Sequence, residues 1–122
     1  MGCDIHLIIE IKDVSDGWIY YGSVNLSRDY ALFGMMAGVR REDLKLFEPR
    51  GYPTVSDRRY KIFLAHAQHT LSWLSREEFV IVLRKYRERG DLAFSRTLIM
   101  LEMMQASMAC AYDARIVFGF DS

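Results

Sequence analysis

The stretch Gly2-Cys3-Asp4-Ile5-His6-Leu7-Ile8-Ile9-Glu10-Ile11 decides the fold. Taken as a strand, it sends Cys3, Ile5, Leu7, Ile9 and Ile11 to one side and Asp4, His6, Ile8 and Glu10 to the other. One side is wholly apolar and asks for a covering layer. The other begins with a carboxylate and an imidazole about 7 Å apart, at roughly 3.3 Å per residue, close enough to share a ligand.

After this stretch, Asp13-Val14-Ser15-Asp16-Gly17 has hairpin-turn chemistry, and the β-prone run Trp18 to Val24 completes an antiparallel ribbon. Asn25 or Ser27 then caps a helix from about Arg28 to Ala37, which Gly38 stops. The segment Val39 to Ser56 has no sustained period, holds both prolines and concentrates Arg40, Arg41, Lys45 and Arg50. Phe47, Tyr52 and Val55 would tie it down, so an ordered flap is expected.

Ser56 or Asp57 caps a second helix with Tyr60, Phe63, Leu64 and Ala67 on one side, and His66 and His69 fall at or just beyond its end. Thr70 to Leu74 leads into Ser75-Arg76-Glu77-Glu78, a capping box that opens a third helix with Phe79, Val82, Leu83 and Tyr86 inward. The longest helix is expected from about Leu92 to Tyr112, its methionines wrapping nearly all round as the central packing element, with Cys110 as core filling. Glu102, read there as a buried carboxylate, would need Arg96 or Arg115 as donor. The chain closes with a strand placing Ile116, Phe118 and Phe120 on one face and Arg115, Val117, Gly119 and Asp121 on the other.

The expected fold is therefore α+β: a small, mainly antiparallel three-stranded sheet covered on one face by about four helices, in the order β-β-α-α-α-α-β. Residues 1–122 make one domain, of a size that buries a core without disulfides or metal. The last strand most simply lies beside the first, which brings Asp121 near Asp4 or His6 if direction and register agree.

Sixteen basic residues balance sixteen acidic ones, which argues against bulk duplex nucleic acid as a partner. No apolar run approaches the ~18 residues of a membrane span, and no leader pattern opens the chain, so a cytoplasmic location is expected. Cys3 and Cys110 are read as reduced thiols.

Met1-Gly2-Cys3-Asp4-Ile5-His6, Arg28-Asp29-Tyr30-Ala31-Leu32-Phe33, Ala37-Gly38-Val39-Arg40, Pro49-Arg50-Gly51-Tyr52-Pro53, His69 with Ser72-Trp73-Leu74, and Phe118-Gly119-Phe120-Asp121 together give a pattern across nearly the whole chain. It resembles a family of small proteins encoded by bacteriophages and prophages. The resemblance implies a source, the cytoplasm of an infected bacterium, and a residue pattern rather than an activity. Members commonly carry an acidic residue near the histidine where this chain has Ala67 and Gln68 before His69.

The pattern picks out polar residues that a fold does not need: Asp4, His6, Arg28, Arg40, Arg50, His69, Ser72 and Asp121. With Tyr52 and Trp73 they suit a pocket for a small anionic, ring-bearing ligand, since arginines clamp phosphate and aromatic faces stack on a base. Three functions follow. In the first, a phage counter-defence protein sequesters a nucleotide-derived immune signal, with Arg40 and Arg50 on phosphates, Tyr52 and Trp73 on a base, and His6 and His69 setting orientation. In the second, a phosphodiesterase or nuclease uses His6 and His69 as general base and acid, Asp4 or Asp121 orienting an imidazole and Arg50 stabilising phosphate charge. In the third, an inhibitor docks on a host defence complex through the Arg84 to Arg89 helix or Asp13 and Asp16. No cofactor is called for. A metal site of Cys3, Asp4, His6 and Asp121 is disfavoured because Cys3 and His6 alternate to opposite faces. Self-association is left open.

Overall fold

A computed structural model describes residues 2–12, 14, 17–53, 64–89 and 95–121. Its elements run β1 (Asp4–Lys12), β2 (Trp18–Val24), α1 (Tyr30–Ala37), a 3-10 turn (Glu42–Leu44), β3 (His69–Ser75), α2 (Arg76–Arg87), α3 (Arg96–Ala109) and β4 (Asp113–Asp121). The class is α+β as expected, but the sheet has four strands in the order β2-β1-β4-β3, every neighbouring pair antiparallel.

The extra strand is the Thr70 to Leu74 run, expected to be only a lead-in. Its formation has a physical cause in β4, whose residues Ala114 to Phe120 are all buried. A strand in that position has two edges of backbone amides to satisfy. β1 takes one edge, pairing Ile5 with Phe120, Leu7 with Phe118 and Ile9 with Ile116. β3 takes the other, pairing Trp73 with Val117 and Leu74 with Ile116.

Three α-helices are described in place of about four. Of the helix expected from Ser56 or Asp57 to Ala67, residues 56–63 lie outside the described residues, and Leu64 to His66 form a turn. α1 starts at Tyr30, two residues later than expected, because Asp29 rather than Ser27 or Asn25 is its cap, accepting from the Leu32 amide at 3.1 Å. The same carboxylate accepts from Tyr86 Oη, which ties α1 to α2. Gly38, at φ 78°, ends α1 in the left-handed conformation that glycine adopts without steric cost.

The capping box of α2 forms as read, with Ser75 Oγ and Glu78 Oε1 each accepting the other's backbone N–H. Phe79, Val82, Leu83 and Tyr86 are buried. α3 runs only from Arg96 to Ala109, capped by Ser95, and is not enclosed all round: Leu101, Met104 and Met108 are buried while Ile99 and Met103 are exposed. Two expectations on that helix are overturned, because its outward side faces solvent rather than a further layer. Cys110 is exposed instead of core, and Glu102 pairs with Arg87 on the surface rather than with Arg96 or Arg115. Arg76 closes the helix end by donating to the Met108 and Ala111 carbonyls.

The helices cover one face of the sheet. Cys3, Ile5, Leu7 and Ile9 meet Leu74, Ile116, Phe118 and Phe120 there, under Leu32, Phe33, Phe79, Leu83, Leu101 and Met108. The opposite face is where the polar side chains of β1 and β4 lie.

Candidate functional site

On that opposite face, antiparallel pairing sets Asp4 across from Asp121 and His6 across from Gly119. The diagonal between them closes: His6 Nε2 and Asp121 Oδ2 are 2.5 Å apart, with 24% and 28% of the two side chains exposed. With its proton on Nε2 the imidazole donates to the carboxylate, and Nδ1 keeps the lone pair. The conditional sequence reading of Asp121 beside His6 is thus realised by register.

Asp4 is engaged from the other side. Arg28 donates through Nε at 2.8 Å and through Nη2 at 3.3 Å to its two oxygens. That hydrogen bonding holds the Asp4 carboxyl below its usual range, and His6 acts in the same direction. Arg28 is raised by Asp4 first and more weakly by Asp121. The four groups form one electrostatic unit at the end of the sheet.

A second imidazole joins them from the segment after Leu64. Gly119 has no side chain, and a Cβ built there would stand 2.7 Å from Leu71 Cδ2, 2.8 Å from Ala67 Cβ and 3.2 Å from Tyr52 Oη. Ala67 can sit this close to β4 only because of that glycine, and Gln68 is pinned beside it by donating to the Phe120 carbonyl at 2.7 Å. The ring of His66 is thereby set 6.1 Å, centroid to centroid, from that of His6. A groove of about 220 Å³ opens alongside, lined by Ile5, His6, Leu7, Ser23, Val24 and Asn25.

His69 goes elsewhere. β3 is irregular between His69 and Ser72, where Thr70 has φ 54°, and His69 is paired with Phe120, a residue of the helix-covered face. Its ring stacks on Phe120 at 6.2 Å and meets Thr70 Oγ1 at 2.9 Å. His6 and His69 therefore stand on opposite sides of the sheet, and His66 is the imidazole that sequence reasoning passed over. A small residue at 67 facing a glycine across from His6 was the available signal.

The remaining expected ligand-binding residues are distributed as follows. Ser72 is buried and accepts from the Arg50 backbone N–H at 3.1 Å. Arg50 bonds Glu78 at 2.7 Å and lies 4.5 Å over the Trp73 ring. Arg115 stands 5.7 Å from the same ring, so Trp73 has a cation beside it from two elements. Tyr52 packs against the cluster of Ile8, Leu64 and Val117, as Trp73 does. Arg40, in the left-handed region at φ 63°, lies 5.2 Å over Tyr30. The described part of the expected flap is divided: Val39, Leu44 and Phe47 pack into the helix-side core, and the stretch from Arg50 to Tyr52 reaches β3 and the other face, while Val55 lies outside the described residues.

Arg115 belongs to a second construction on this face. It donates to Glu10 at 2.8 Å, with 7% and 0% of their side chains exposed, and stands 3.9 Å over Trp18. No group of three or more His, Cys, Asp or Glu among the described residues is arranged to hold a metal ion. No helix among them is long and apolar enough to cross a membrane.

No family model, curated protein or solved structure matches the chain.

Proposed function

We propose that the chain is an acid–base enzyme acting on a phosphate diester of the nucleotide class, with His6 and His66 as its working pair. The observation that carries this reading is the Asp121–His6 contact with a second imidazole 6.1 Å from the first. Hydrolysis needs a base for the attacking water and an acid for the departing oxygen, and histidine changes charge near neutrality, so it serves both roles.

In the step proposed, His6 Nδ1 takes a proton from water as the water oxygen attacks phosphorus. Asp121 stabilises the imidazolium that forms, and His66 in its protonated form gives its proton to the leaving oxygen as the P–O bond breaks. Arg28 supplies positive charge beside the reacting phosphate, in exchange for part of its contact with Asp4. In the setting that the phage resemblance implies, the substrate is a nucleotide-derived signal of the host.

Incubation with cyclic and linear nucleotides and with bis(4-nitrophenyl) phosphate, followed by product analysis, tests the proposal. Cleavage is expected, with His6→Ala and His66→Ala each losing about 100-fold or more in kcat and His69→Ala close to wild type. Recovery of intact nucleotide after denaturation would replace hydrolysis with sequestration. Equal loss in His69→Ala and His66→Ala would remove His66 from the assigned role.

A further inference from the structure

The groove beside His6 has a lining that side-chain alternation does not explain. Ile5, His6 and Leu7 are consecutive in a strand, yet all three border it. Leu7 and Ile5 are only 3% and 6% exposed, their side chains being committed to the helix-side core, so what they offer the groove is backbone. Pairing of β1 with β2 begins at Leu7 and Val24. From Asp4 to His6 the β2-side edge of β1 has no strand partner among the described residues. The facing wall is again a consecutive run, Ser23, Val24 and Asn25.

An exposed strand edge presents amide donors and carbonyl acceptors in one plane. Asn25, exposed at the mouth, adds a carboxamide with both functions. A volume of about 220 Å³ is less than the roughly 300 Å³ at which pockets for drug-sized ligands begin, so the groove holds one part of a ligand rather than the whole. A flat ring with hydrogen-bonding groups on its rim meets all of these conditions, and flat rings of that kind are read along their edges.

We propose that this groove seats the nucleobase of the substrate, edge-on against the β1 backbone and Asn25, while His6 and His66 hold its phosphate. The proposal rests on the acid–base reading for its choice of ligand class, and its test is separable from that reading.

Calorimetric titration of the wild-type protein with AMP, GMP, CMP and UMP, and with ribose 5-phosphate as the base-free control, reads the groove directly. At least one mononucleotide is expected to bind tenfold or more tighter than ribose 5-phosphate. Asn25→Ala is expected to erase most of that difference and leave ribose 5-phosphate binding unchanged. His66→Ala is expected to weaken every phosphate ligand alike. The proposal is overturned if no mononucleotide exceeds ribose 5-phosphate, or if Asn25→Ala weakens all ligands equally. Turnover of bis(4-nitrophenyl) phosphate, which has no base, then reports the fate of the acid–base site alone.

Discussion

The face of the sheet away from the helices carries two acid–base pairs bridging β1 and β4, and they have been built to opposite specifications. Glu10 and Arg115 are direct cross-strand partners, almost wholly buried, with Trp18 against the guanidinium and Trp73 beyond it. His6 and Asp121 are joined on a diagonal at the other end and keep about a quarter of their surface. Cations further line the buried end, with Lys12 5.9 Å from Trp18 and Arg50 4.5 Å from Trp73. The open end has a second imidazole and a groove, with Arg28 bonded to Asp4 beside them. A guanidinium stays charged at every physiological pH and is suited to a permanent tie. An imidazole exchanges its proton near neutrality, which has value only where a ligand can reach it.

The largest effect should come from breaking the buried pair. Glu10→Ala removes the carboxylate that Arg115 meets at 2.8 Å inside the protein, and breaking a buried pair in this way costs about 3–5 kcal/mol. Urea unfolding followed by tryptophan fluorescence checks it, since Trp18 and Trp73 report on this end of the sheet. The double variant Glu10→Met with Arg115→Met should recover most of the loss, because the desolvation of both charges disappears together. A double variant no more stable than Glu10→Ala would mean that Arg115 is held mainly by its stacked rings.

A smaller effect is expected where Arg50 is tied to the same end. Burial alone would raise the Glu78 carboxyl, but hydrogen bonds from Arg50 and from the Ser75 backbone hold it below its ordinary value of 4.5. A carboxyl depressed in the folded protein contributes stability that is complete above its unfolded value and is lost as pH falls through the folded one. Glu78→Gln keeps the capping box, which accepts either residue, and loses the charge opposite Arg50. The expected cost near neutrality is about 1 kcal/mol or less, and the difference from wild type should vanish as thermal unfolding is followed down below pH 4. A difference that persists in acid would assign Glu78 a purely geometric role.

The two ends were unequally legible before the structure. The alternation in β1, the split of Ile116, Phe118 and Phe120 from Val117, Gly119 and Asp121, and the Ser75–Glu78 box are short-range patterns, and all three formed as read. β3 escaped because seven residues with an irregularity after His69 give no clean period, and its partner β4 begins some forty residues later in the chain. That miss also hid the histidine arrangement: a continuing helix would keep His66 and His69 together, whereas a strand beginning at His69 sends them to different faces. The methionines of α3 suggested enclosure because composition gives no direction, and only packing reveals that Met104 is inside and Met103 outside.

The smallest effect on stability, and the sharpest separation of the two pairs, should come from Asp121→Asn. The substitution preserves shape and can still accept from His6 Nε2, and a pair this exposed contributes about 1 kcal/mol at most. Unfolding by urea should therefore shift little, in contrast to Glu10→Ala. The imidazolium that forms on His6 nevertheless loses its counter-charge, so kcat should fall with KM nearly unchanged, as happens when an interaction made chiefly in the transition state is removed. A loss of stability comparable to that of Glu10→Ala, with no change in kcat, would make the His6–Asp121 contact a structural tie of the same kind as Glu10–Arg115 and end the case for chemistry at this site.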